Sequence, residues 1–216
     1  MKTVIITHGL LMKSPVMSYI SNYFQRKGYN IKLFNYRTTF FDKEQTMRDL
    51  ELLCKNEKDI YFIGHSMGGL ILREFIQSFP SDNYKSFVTL GTPHNRSRLA
   101  EIISKTELNF LLGINHESGL ISNLKEYVGK PPLGSIAGNK PKGFLSIYNK
   151  LFKKNLNLGD NDGTVLVSET QEVNCKDHIV LNVSHSGMLF SLEVVEQIEY
   201  FFNNNIFFKN DHDFQK

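Results

Sequence analysis

Ser66 stands in the pentapeptide Gly64-His65-Ser66-Met67-Gly68, directly behind the apolar run Ile60-Tyr61-Phe62-Ile63. A serine flanked at two-residue spacing by glycines, with a strand before it and a helix after it, reads as a nucleophile elbow. The turn is too tight for larger side chains, and it lifts the serine Oγ out at the carboxyl edge of a sheet. The context on both sides fits: Ile60 to Ile63 is a continuous apolar strand of the kind buried on both faces of a parallel sheet, and Leu70, Ile71, Phe75 and Ile76 then recur at helical spacing.

A serine hydroxyl is a weak nucleophile. It needs a positioned base, and the base needs an acceptor on its other ring nitrogen to fix its tautomer. Behind a nucleophile elbow the expected chain order is serine, acid, histidine, the last two on loops after later strands. Gly159-Asp160-Asn161-Asp162-Gly163 offers a turn that can leave a carboxylate facing the site. Asp162, directly before Gly163, and Asp160 are the two candidates for the acid, since the same turn can present either carboxylate and leave the other side chain free to cap a helix starting near Val167. Ser184-His185-Ser186-Gly187 follows the final strand and precedes the final helix, which is where the base belongs; His185 is that base.

The developing oxyanion needs backbone N–H donors aimed at one point. Met67, the residue after the nucleophile, supplies one amide. Leu10, in His8-Gly9-Leu10-Leu11 after the first strand, supplies the other, with Gly9 permitting close approach of the backbone. His8 reads as a loop-fixing residue, and the His65 side chain is expected to point away from Ser66. His94, His116, His178 and His212 read as structural or solvated, and no histidine–carboxylate set has metal-ligand spacing, so neither a metal nor another cofactor is expected.

The elements that must position these groups alternate from the start of the chain. Strands are expected at 3–7, 30–36, 60–63, 86–90, 133–137 and 179–183, with helices at 16–27, 43–55, after the elbow, and at 191–202. Alternation of this kind predicts an α/β fold, a central and mostly parallel sheet with crossover helices on both faces. It lapses between 95 and about 129, where Leu99, Ile102, Ile103, Phe110, Leu111 and Leu112 suggest short amphipathic helices. An insertion at that point, beyond the carboxyl ends of the strands, is expected to sit over the site as a small helical cap. Residues 209–216 are polar and expected to fray.

At 216 residues the chain suits a single domain. A formal net charge of +3, from 25 basic and 22 acidic residues, gives no argument for a nucleic-acid partner, although it permits peripheral contact with an anionic membrane. No apolar stretch approaches the roughly eighteen residues of a membrane span. The N-terminal apolar run stops at Ile6 and reads as a core strand rather than an export signal. Cys54 and Cys175 carry no metal or redox spacing and are expected to be free thiols of a cytoplasmic protein.

His8-Gly9-Leu10-Leu11, Gly64 to Gly69, Thr89 to His94, Asn161 to Val165 and Ser184 to Leu189, taken in this order, resemble the α/β-hydrolase superfamily, and within it the small bacterial lipase and esterase branch. The resemblance runs over nearly the whole chain. It implies a triad on Ser66, Asp162 and His185, oxyanion amides on Leu10 and Met67, and hydrolysis of carboxylic esters without a cofactor. The chain departs from secreted members of that branch in lacking their export signal, disulfide and calcium carboxylates. Apolar residues of the expected cap point to small-molecule or lipid esters with hydrophobic acyl groups. A thioesterase or lipid deacylase would use the same triad, and a silent scaffold could keep the fold without the chemistry.

Overall fold

The computed structural model describes residues 1–38, 41–95, 126–143 and 159–209. Six strands are present among them: β1 (Thr3–Thr7), β2 (Asn30–Phe34), β3 (Ile60–His65), β4 (Tyr84–Leu90), β5 (Leu133–Gly138) and β6 (Asp177–Leu181). They form one sheet in the order β2-β1-β3-β4-β5-β6, and every pairing is parallel. Four helices accompany them: α1 (Ser18–Arg26), α2 (Lys43–Cys54), α3 (Met67–Ser78) and α4 (Leu192–Asn204).

The period of two along the strands sorts the core into two layers. Val4 and Ile6 of β1, Tyr61 and Ile63 of β3 and Val88 and Leu90 of β4 face α1 and α4, where Ile20, Phe24, Val194, Val195, Ile198 and Phe201 cover them. The alternate residues Ile5, Phe62 and Phe87 face α2 and α3, against Leu50, Leu70, Ile71 and Phe75. Side chains at adjacent strand positions point to opposite faces, and because both faces are covered the middles of the central strands, Val4 to Ile6, Ile60 to Ile63 and Phe87 to Val88, are apolar without alternation. Ile5, Phe62 and Phe87 lie at matched register, Ile5 opposite Phe62 and Phe62 opposite Phe87.

The chain runs from β1 outward to β2, then returns past β1 to β3, so the strand order reverses between β1 and β3. In open parallel sheets ligands bind in the crevice at the carboxyl ends of the strands at such a reversal. The loops after β1 and β3 carry Leu10 and Ser66.

Several boundaries differ from the sequence expectation, each for a local reason. The first helix starts at Ser18 because Ser14–Met17, containing Pro15, forms a 3₁₀ turn. The second strand stops at Phe34, and the next two residues turn to the β1 loop: Asn35 Oδ1 accepts from the Ser14 N–H (3.2 Å), and the Tyr36 hydroxyl donates to the His8 carbonyl (2.9 Å). The last strand is Asp177–Leu181 rather than 179–183, because β5, its partner among the described residues, ends opposite it at Gly138. The helix expected near Val167 is a four-residue 3₁₀ turn. The helices of the expected cap fall in 96–125, outside the described residues, as does 210–216 of the tail.

Candidate active site

The elbow follows from close approach. A Cβ on Gly64 would lie 2.5 Å from Gly69 Cα, and one on Gly68 would collide with the His8 carbonyl oxygen, so glycine at both positions lets α3 start directly against β1 and β3. Ser66 between them has φ 53° and ψ −123°, a conformation that L-residues rarely adopt. Holding it costs about 1–3 kcal/mol and persists only where the surroundings over-determine it. Here the Ser66 N–H donates to the Leu90 carbonyl (2.8 Å), while its own carbonyl accepts from the Gly69 N–H and from the Thr92 hydroxyl, both at 3.0 Å. The turn is thereby tied to the end of β4 and to the loop beyond it.

Asp162 and His185 meet. His185 Nδ1 lies 2.7 Å from Asp162 Oδ2, and the carboxylate is 1% exposed. An ionised carboxylate only accepts, so Nδ1–H is the donor and the lone pair is left on Nε2, the tautomer that a general base requires. The other oxygen, Oδ1, accepts from the Thr164 and Val165 N–H groups at 2.9 and 2.7 Å. The two loops are joined again through the backbone, where the His185 N–H donates to the Asp162 carbonyl (2.9 Å). Asp160 is exposed, and its carbonyl accepts from the Val167 N–H that opens the next turn.

Ser66 and the Asp162–His185 pair share one edge of the sheet. Gly91, directly after β4 and at φ +54°, packs against the pair so closely that a Cβ there would be 2.9 Å from both Asp162 Oδ2 and His185 Nδ1. The His65 ring, beside Ser66 in the chain, lies 4.6 Å from the His185 ring. No hydrogen bond joins Ser66 Oγ to the His185 ring among the described residues, and such bonds are often loose before substrate binds. The loop after β1 closes on Ser66, since a Cβ on Gly9 would sit 3.1 Å from Ser66 Cβ. Among the described residues neither the Leu10 N–H nor the Met67 N–H has an acceptor.

The remaining histidines are structural or lie outside the described residues. The buried His8 ring stacks on Tyr36 at 4.6 Å and reaches Gly9 O and Asn35 Oδ1, both at 2.9 Å, which holds the β1 loop in place. His94 bonds the Thr89 hydroxyl (2.9 Å), and burial, with Arg73 close by, pushes its pKa down to about 3, so it stays neutral. His178 bonds the Thr170 hydroxyl (2.9 Å). Burial also pushes the Cys54 and Cys175 thiols up to about 12 and about 11, leaving both poor nucleophiles, and both cysteines are free. Among the described residues no group of histidine, cysteine and carboxylate side chains could hold a metal, and no helix is long and apolar enough to cross a membrane.

One brace of the site carries no sequence signal. Arg73 of α3 and Glu172 form an ion pair at 2.6 Å with side chains only 2% and 3% exposed. The same guanidinium donates to the His94 carbonyl (3.2 Å), and Glu172 also accepts from the Tyr127 N–H (3.1 Å). The helix that follows Ser66 is thus locked to the loop after β4 and to the chain entering β5. Removing one partner of a buried pair leaves an uncompensated charge. Glu172→Leu is expected to lower unfolding free energy by about 3–5 kcal/mol, and Arg73→Met/Glu172→Leu together by clearly less. Urea unfolding of the single and double variants checks this.

Comparison with known proteins agrees with the architecture. A Bacillus licheniformis lipase in its mature form superposes with a TM-score of 0.65 at 16% identity, over 94% of this chain and 91% of that one. The ydeN gene product of B. subtilis does so with a TM-score of 0.64 at 12% identity, over 94% and 99%. A lipase-esterase related protein from Clostridium acetobutylicum gives 0.58 at 15%, over 93% and 94%. At these identities the likeness shows the α/β-hydrolase fold. No curated protein matches significantly. Residues 3–118, more than half of the chain and including both the β1 loop and the elbow, match the family model described as palmitoyl protein thioesterase, and the chain belongs to this esterase- and thioesterase-type family of α/β hydrolases.

Proposed function

We propose that the protein is a serine hydrolase that cleaves carboxylic esters of hydrophobic, lipid-like acyl groups through an acyl-enzyme on Ser66. The observation that carries the reading is the buried 2.7 Å contact between His185 Nδ1 and Asp162 Oδ2 at the same sheet edge as the strained Ser66 turn. Such an arrangement has a cost, since it buries a carboxylate and strains a backbone, and it supplies what a weak hydroxyl nucleophile needs.

In the first half of the reaction, Ser66 Oγ attacks the acyl carbonyl carbon while its proton passes to His185 Nε2. Asp162 stabilises the resulting imidazolium, and the Leu10 and Met67 amides receive the charge growing on the carbonyl oxygen. Collapse of the tetrahedral species breaks the bond to the leaving oxygen, which departs as the alcohol with the proton from Nε2. In the second half water attacks the acyl-enzyme, again giving its proton to His185, and the acid leaves as Ser66 regains the proton. The steps balance without a cofactor.

The family match favours a second reading of the leaving group, a thiol in place of an alcohol. The chemistry is unchanged, because the triad acts on the acyl carbonyl and not on the group it expels. Purified protein assayed on p-nitrophenyl esters of short and long acyl chains, and on thioesters of the same acids, separates the readings. Higher kcat/KM with chain length is expected, and a thioester preferred tenfold or more at equal chain length, about 1.4 kcal/mol in transition-state binding, would make the protein a thioesterase. Activity on short polar esters alone would overturn the hydrophobic assignment. We also place the protein in the cytoplasm, a reading supported by the two unpaired thiols.

A further inference from the structure

We propose that His65 is a positioning residue, a neutral spacer that sets the base and the oxyanion loop around Ser66. The inference rests on the assignment of Ser66 and His185 above and concerns a side chain with no part in the proton transfers.

The His65 ring is fully buried and touches three loops at once. It belongs to the elbow itself, adjacent to Ser66. Its Nε2 lies 3.1 Å from the backbone carbonyl oxygen of His185, and its ring packs at 4.6 Å and 47° on the His185 ring. On its other side Gly9 passes directly over Nδ1, where an added Cβ would sit at 2.9 Å. The loops after β1, β3 and β6, carrying oxyanion donor, nucleophile and base, are therefore held apart and together by one imidazole.

The contacts also fix its protonation. A carbonyl oxygen only accepts, so the Nε2–H donates, and Nδ1 then carries the lone pair in a neutral ring. Nδ1 has no partner among the described residues. Burial, followed by the nearness of His185, holds the His65 pKa well below its ordinary value. A neutral ring is what the reaction needs at this place: a second cation against His185 would oppose the imidazolium that forms when Ser66 gives up its proton. An aromatic spacer that also donates a hydrogen bond fixes both the distance and the rotation of the base loop, and a displacement of about 1 Å in such a constellation can cost about 100-fold in rate.

The test compares His65→Gln, whose amide can still donate to the His185 carbonyl, with His65→Met, of similar length but without a donor. On a soluble ester, His65→Met is expected to lose about 10- to 100-fold in kcat with KM within about twofold, and His65→Gln to recover most of that loss. The low-field proton of the His185–Asp162 hydrogen bond, read by NMR without substrate, should stay in place in His65→Gln and shift or broaden in His65→Met. Unchanged kcat in His65→Met overturns the proposal, as do equal losses in both variants that track their thermal midpoints. Should His65→Met fail to fold, ¹⁵N shifts of the wild-type ring decide: the neutral Nε2–H form is expected, and an Nδ1–H form or an imidazolium at neutral pH overturns it. Wild-type protein inactive on every ester and thioester would instead remove the reading of the site on which this inference stands.

Discussion

Replacing Ser66 by alanine is expected to lower kcat by about 10⁶-fold, leaving a residual rate on the order of 10³ above the uncatalysed reaction. The residue removed is the only group that forms a bond to substrate in the proposed cycle. The residual activity would come from the Leu10 and Met67 amides and from acyl binding, which the substitution leaves alone. Stability should change by less than about 1 kcal/mol, because Ser66 Oγ bonds nothing among the described residues and the strain lies in its backbone. Steady-state kinetics on a long-chain ester, with thermal unfolding alongside, reads both quantities. A variant keeping more than about a tenth of wild-type activity would sink the assignment, since removal of a triad nucleophile costs several orders of magnitude.

The second large effect separates two carboxylates two residues apart. Asp162→Asn should lower kcat by about 10⁴-fold while Asp160→Asn stays within about twofold. Asparagine is nearly isosteric with aspartate, so the loop is retained. Its amide, however, would turn an NH₂ toward His185 Nδ1, since Oδ1 of the native residue is already committed to the Thr164 and Val165 amides. Nδ1 would then have to accept, moving the ring proton to Nε2 and removing the lone pair that takes the Ser66 proton. Asp160 is exposed and contributes its carbonyl to the turn, so its charge has no comparable role. The opposite ranking in kcat/KM measured on the two variants would show the acid to be misassigned.

Much of the frame is legible in the chain because its determinants are local. Ile60 to Ile63 followed by the glycine-flanked serine announces strand, turn and helix within a few residues, and the apolar strand positions declare a sheet covered on both faces. The turn from Gly159 to Gly163 and the loop after the last strand are readable as places where side chains can face an edge, and it is the family resemblance rather than the turn that ranks Asp162 ahead of Asp160. What the chain hides is set by partners distant in sequence. Arg73 and Glu172 are 99 residues apart and each looks like an ordinary surface charge, yet they form a buried pair. The end of β6 depends on where β5 stops, so the strand expected from Ile179 to Val183 runs too far at one end and misses Asp177 and His178 at the other. His65 is the most instructive case: adjacency to the nucleophile suggests a side chain turned away from Ser66, and only the packing of Gly9 and His185 on either face of its environment reveals what it holds.

The central claim is that Ser66 is an activated nucleophile. The most direct measurement is labelling of the folded protein with a fluorophosphonate, the modified peptide being located by mass spectrometry, with Ser66→Ala and heat-denatured protein as controls. A phosphonate on Ser66 that disappears in both controls is the predicted result, because only a hydroxyl deprotonated by His185 and facing the Leu10 and Met67 amides attacks phosphorus at a useful rate. Folded protein that takes no label, or takes it on another residue, would contradict the account.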